Sequence, residues 1–187
     1  CVVPDGDLFR VIREGQASVV TDAIQRFTPE GIRTASGETI PADTIVLATG
    51  LKVRILGGAR VSIDGKHFDP SEAMLYKGML ISGVPNAAIA FGYINASWTL
   101  KTDLTANYAV RLMRYMERKG YTSVVPRREK GVDERPFMDC SAGYIQRALP
   151  RLPKQGDRQP WRVYQNYLKD MISTRFGRIN DGILEFE

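Results

Sequence analysis

Apolar residues occur in short runs through the first half of the chain and at helical spacing only later. Val19, Val20, Ile24 and Phe27 in ASVVTDAIQRF predict a strand, TPEG a turn, and GIRTASG a second short strand ending at Gly37. Ser36 and Gly37 suit a hairpin corner, because glycine takes positive φ without a Cβ penalty. Residues 44–48 (TIVLA) follow without a charge and are β-branched at Thr44, Ile45 and Val46. Such a run predicts a strand covered on both faces, as in a parallel sheet. Residues 51–77 break into glycines and polar stretches and predict loop with one hairpin. Two further apolar runs flank Gly83, Val84, Pro85 and Asn86, which predict a turn; residues 87–91 read as a second buried strand.

A long helix is predicted over about residues 97–119. Leu104, Tyr108, Leu112 and Met116 recur every fourth position with Ala109 and Met113 beside them, while Lys101, Asn107, Arg111, Arg114 and Arg118 face away. Asn95 or Ser97 can cap its start, and Gly120 ends it after Arg118 and Lys119. Beyond it the chain is irregular, with a second helix predicted over about residues 161–176.

At 187 residues, 43% hydrophobic and 25% charged, the composition is that of a globular chain, and no run approaches a bilayer span. The opening at Cys1 reads as the middle of a domain, so a piece of a longer protein is expected. Cys1 and Cys140 lack CxxC spacing and are expected to be reduced thiols. The charge is uneven: residues 1–110 carry ten Lys/Arg against eleven Asp/Glu, and residues 111–187 carry sixteen against ten. A basic block can follow nucleic acid, an anionic lipid surface or a phosphorylated cofactor, or be a solvated face; no nucleic-acid-binding pattern accompanies it. A peripheral membrane contact and self-association stay open.

The single histidine, His67, sits in a polar stretch without GxSxG, HExxH or an EF-hand loop nearby, so neither a hydrolase triad nor a metal site is expected. GxGxxG and GxxxxGK[ST] are both missing from the chain. What the residues do offer is two strand ends closing in glycine, at Gly50 and Gly92, the second followed by the start of the main helix. A helix N-terminus presents unpaired N–H groups to an anionic or electron-rich group, and ligands of open α/β sheets sit beyond the strand ends. Trp98 can line such a ligand or belong to the core, and the core is the expectation.

PADTIVLATGL, closing in Ala48, Thr49 and Gly50, resembles the strand that returns from the pyridine-nucleotide domain to the FAD domain in flavoproteins with two dinucleotide-binding domains. CVVPDGDLFRVIREG, YKGMLISGVPNAAIAFGYINASWTLKTDL, ERPFMDCSAGY and LPKQGDRQPWRVYQNYLKD resemble consecutive blocks of the flavin-dependent Baeyer-Villiger monooxygenases of the ethionamide-activating type, in order over nearly the whole chain. The resemblance implies an α/β fold: an incomplete FAD-binding, Rossmann-like portion with β-hairpins, one long amphipathic helix and an irregular C-terminal tail. Residues 1–120 are expected to hold the C-terminal part of the nucleotide- and FAD-binding domains, and residues 121–187 a basic extension wrapping the core.

The resemblance further implies the C-terminal portion of a cytoplasmic enzyme that uses FAD, NADPH and O₂ to insert oxygen into a ketone or oxidise a sulfur or nitrogen centre. Both GxGxxG turns, the family's FxGxxxHxxxWP sequence and its catalytic arginine lie outside this chain, so the piece alone is expected to be inactive, with the rest of the parent polypeptide as its partner. By position, the cofactor-binding residues implied are Ala48, Thr49, Gly50, Gly92, Tyr93, Asn95, Ala96 and Ser97. Related reductases carry Gly-Asp at the second strand end, where this chain has Gly92 and Tyr93; location carries over, the aspartate's role does not. Backbone N–H groups of Asn95, Ala96 and Ser97 are expected near the flavin pyrimidine edge. The basic tail, with Arg127, Arg128 and Arg158, is expected either to close over NADPH or the substrate channel or to be surface charge. A pyridine-nucleotide-disulfide reductase fragment and a non-enzymatic basic binding module are the alternatives.

Overall fold

A computed structural model describes residues 3–187; Cys1 lies outside them. The chain forms two compact units, Cys1–Thr49 and Gly50–Glu187. In the first, Pro4–Gly6 make a tight turn and helix α1 (Asp7–Arg13) follows it. Strands β1 (Ile24–Thr28), β2 (Gly31–Thr34) and β3 (Thr39–Pro41) form an antiparallel meander. The turns fall at the predicted TPEG and at Ser36 and Gly37. At Gly31 a Cβ would collide with the Ile40 carbonyl, so only glycine lets β2 and β3 approach. Ser36 and Ala23 donate backbone N–H groups to the Asp22 carboxylate, and the Ser36 bonds above all hold its pKa at about 2.

Residues 44–48 correct an expectation. They form no strand and are exposed, Val46 at 81% and Leu47 at 72%. A strand with two apolar faces needs neighbours on both sides, and the short meander of its own unit supplies none. Ala48 and Thr49 are exposed in the same extended segment.

The second unit begins at Gly50. Strands β4 (Val61–Ile63) and β5 (Lys66–Phe68) make the expected hairpin, closed by Asp64 and Gly65, both at positive φ. Strands β6 (Leu75–Tyr76) and β7 (Leu80–Ile81) make a second hairpin, buried on both faces. One face of this segment, with Met74, Tyr76 and Leu80, enters a core built with Tyr108, Leu112, Trp161 and Leu184. Ala73, Leu75 and Ile81 enter a second core with Phe137, Ala148 and Leu152. Period-two alternation thus places one hairpin between two cores.

Helix α2 (Trp98–Lys119) buries Leu104, Tyr108 and Leu112 as predicted and ends at Gly120 in the left-handed conformation. After it come β8 (Val124–Pro126), β9 (Glu134–Pro136), helix α3 (Gly143–Ala148), β10 (Lys154–Gly156), helix α4 (Tyr167–Arg175) and β11 (Leu184–Phe186). β9 pairs with β10 and β8 with β11, and α4 packs on α2. The second helix is shorter than its prediction: residues 161–166 precede it, and Trp161 is a fully buried core residue instead.

Every pair of strands among the described residues is antiparallel, and one isolated parallel bridge joins Met74 to Lys154. The architecture is mixed α/β with small sheets and four helices; the parallel sheet of a Rossmann-like portion is not formed within it. Residues 87–91 likewise depart from the buried strand expected of them. They run extended with Ala87, Ile89 and Phe91 half-buried and Ala88 and Ala90 exposed, held by one bridge from Ala88 to Leu80 and by the Ile89 N–H on the Met79 carbonyl at 2.8 Å.

Candidate functional site

Residues 92–97 turn the extended segment into the head of α2. Gly92 is buried, and a Cβ there would collide with the Trp98 indole. The indole therefore sits close against the glycine, and Trp98 is nevertheless 62% exposed. This corrects the assignment of Trp98 to the core.

Tyr93 is 2% exposed and donates its hydroxyl to Asp170 Oδ2 at 2.7 Å. Lys101 Nζ reaches the same oxygen at 2.8 Å. Lys101 was expected on the outer face; it is 3% exposed and ion-paired. Burial, followed by the bond to Asp170, pushes the Tyr93 phenol well above its ordinary range and keeps it a donor. Beside it, Lys77 Nζ donates to the Ser173 carbonyl at 3.0 Å and sits over the Tyr76 and Tyr108 rings, and desolvation lowers its pKa. Tyr76 donates to Asp181 Oδ2 at 2.7 Å.

The turn itself is held from α4's side. Gln165 Oε1 accepts the Ile94 N–H at 2.9 Å, and the Gln165 carbonyl accepts from Asn95 Nδ2 at 3.0 Å. The Asn95 side chain is thus engaged within the chain. Ser97 stands at the N-cap without a capping bond, its hydroxyl 2.7 Å from that of Thr99. The backbone N–H groups of Asn95, Ala96 and Ser97 meet no acceptor among the described residues, and all three residues are exposed. The head of α2 is therefore a row of free donors at the positive end of a 22-residue helix, on a turn held by the exposed Gln165 contacts and flanked by the buried bonds to Asp170.

Of the residues singled out from sequence, Gly92, Tyr93, Asn95, Ala96 and Ser97 come together here. Ala48 and Thr49 lie in the first unit, and Gly50, at φ +91 and exposed, opens the second. Asp170 and Gln165 were missed, because no local pattern marks them; their partners lie about seventy residues upstream. The arginines of the tail are occupied as surface groups. Arg127 pairs with Glu185 and Arg128 with Glu134, each at 2.6 Å, and Arg158 donates to the Gly131 carbonyl at 2.8 Å. His67 is exposed on β5, and no cluster of metal-ligating side chains occurs among the described residues. No described helix is long and apolar enough to cross a membrane.

Along its whole length the chain is homologous to FAD-containing monooxygenases, which establishes the resemblance read in the sequence. The FAD-containing monooxygenase EthA of Mycobacterium tuberculosis is 53% identical over 187 residues, all of this chain and 38% of that protein. EthA of Mycolicibacterium smegmatis is 48% identical over 187 residues, with the same coverage. The probable FAD-binding monooxygenase AlmA of Acinetobacter baylyi is 48% identical over 189 residues, again 38% of its length. The chain spans well under half of each of these relatives. No protein-family model and no solved structure matches it.

Proposed function

We propose that the chain is the C-terminal portion of a cytoplasmic FAD- and NADPH-dependent monooxygenase that delivers one oxygen of O₂ to a ketone, in a Baeyer-Villiger reaction, or to a sulfur or nitrogen centre. The observation that carries this reading is full-length identity of about one half to flavin monooxygenases, falling on a chain whose α2 head offers free donors. Neither a disulfide-reductase fragment nor a basic binding module accounts for that identity.

The residues present fit a flavin. Asn95, Ala96 and Ser97 offer three consecutive N–H donors, and the closely seated Trp98 indole leaves an aromatic face toward solvent. FAD, when bound, supplies the electron-accepting ring that meets NADPH and O₂. The chain's own part would be to hold that ring: the 95–97 amides would donate to its electron-rich atoms, and the helix N-terminus would favour the charge gained on reduction. Ala48, Thr49 and Gly50 keep the cofactor-binding role that the resemblance implies for them, and the NADPH and catalytic groups come from the remaining polypeptide. The chain alone is then inactive.

The test is made in the full-length protein. Gly92→Ala drives the Trp98 indole off its seat and is expected to reduce FAD affinity on the order of tenfold or more. Asn95→Ala releases the turn from Gln165 and is expected to act in the same direction. Flavin content equal to wild type in both variants contradicts the assignment.

A further inference from the structure

Among the described residues the Lys101–Asp170 pair is one of seven ion pairs and the one that is buried at both ends, at 3% and 7% side-chain exposure. A buried pair is weak evidence for stability, since apolar replacements of similar volume often do as well. Its placement says more. Asp170 Oδ2 takes the Tyr93 hydroxyl and Lys101 Nζ together, joining the residue next to Gly92 to the first turn of α2 through α4. Five residues earlier, Gln165 grips Ile94 and Asn95 with its side chain and its carbonyl. Both grips hold residues 93–95, immediately before the free donors.

We propose that Asp170 is the positioning residue of the α2 head: through Tyr93 and Lys101, and with Gln165, the 165–170 segment fixes the direction in which the 95–97 amides point at their ligand. The proposal rests on the flavin reading of that head. It gives the basic tail a defined part in cofactor binding, exerted through Tyr93, Lys101 and the turn without contact to the ligand.

The experiment uses the full-length protein with FAD. The pair is exchanged for apolar residues of similar size, Lys101→Met with Asp170→Leu, and Tyr93→Phe is made separately; the latter removes one hydroxyl, leaves the ion pair, and serves should the exchanged pair not fold. Expected in each are a rise of the FAD dissociation constant on the order of tenfold, faster exchange in the FAD-free protein of the Ile94 amide that Gln165 holds, and an altered visible circular dichroism of the bound flavin. A purely structural pair would leave the flavin's spectrum and affinity unmoved once the protein is folded. Unchanged exchange of the Ile94 amide overturns the pinning. Faster exchange with unchanged FAD affinity overturns the link to the cofactor, and identifies the flavin reading of the head as the part that failed.

Discussion

Tyr108 is 1% exposed, its hydroxyl lies 3.3 Å from that of Tyr76, and burial pushes its pKa up to about 12. Tyr76 and Tyr93 are shifted in the same direction, burial again being the largest cause. A phenol whose folded pKa lies above its unfolded value leaves stability intact below about pH 10 and removes it as pH rises toward the folded value. For Tyr108 the two-unit window is worth on the order of 2 to 3 kcal/mol. Urea unfolding followed against pH is therefore expected to give flat midpoints up to about pH 10 and a steep fall by about pH 12, with a shallower fall in Tyr108→Phe; identical alkaline profiles would count against burial of this hydroxyl. At this scale the sequence was half legible. Spacing puts Lys101 on one helix face with residues 105, 108 and 112, but a charge there is buried only beside a partner, and Asp170 lies 69 residues away. The same distance hid Gln165.

Among elements, α2 was the most legible, since its apolar stripe, its start near Ser97 and its stop at Gly120 all agree with one another. Gly120 sits at φ +74 and gives its N–H to the Met116 and Glu117 carbonyls. Gly120→Ala is expected to lower stability by about 1 kcal/mol, read as a melting temperature lower by roughly 2 to 4 °C. An unchanged melting temperature would mean that the helix end is remodelled. Two strand readings failed, and the short helices α1 and α3 were not anticipated. A helix satisfies its own backbone, so its pattern is complete within one segment; residues 44–48 and 87–91 carry strand composition without the neighbours that would make them strands. The β6–β7 hairpin shows the opposite case, short but flanked by two cores, and its alternation is realised.

At the scale of the whole molecule, the chain is two units whose apolar exposure differs. Among the described residues of the first, only Gly31 and Thr34 are buried, whereas the second closes around Trp161, Tyr76 and Tyr108. The head of α2 belongs wholly to the second unit, and so do Tyr93, Lys101, Gln165 and Asp170. Homology at 45–53% identity extends over both units, across 38% of the relatives' length. The central claim, that residues 95–97 present their amides to the flavin, is tested most directly by hydrogen–deuterium exchange on the full-length protein with and without FAD. FAD is predicted to slow exchange at residues 95–97 more than at any other exposed turn of the chain. Equal exchange there in both states, with flavin demonstrably bound, would contradict the account.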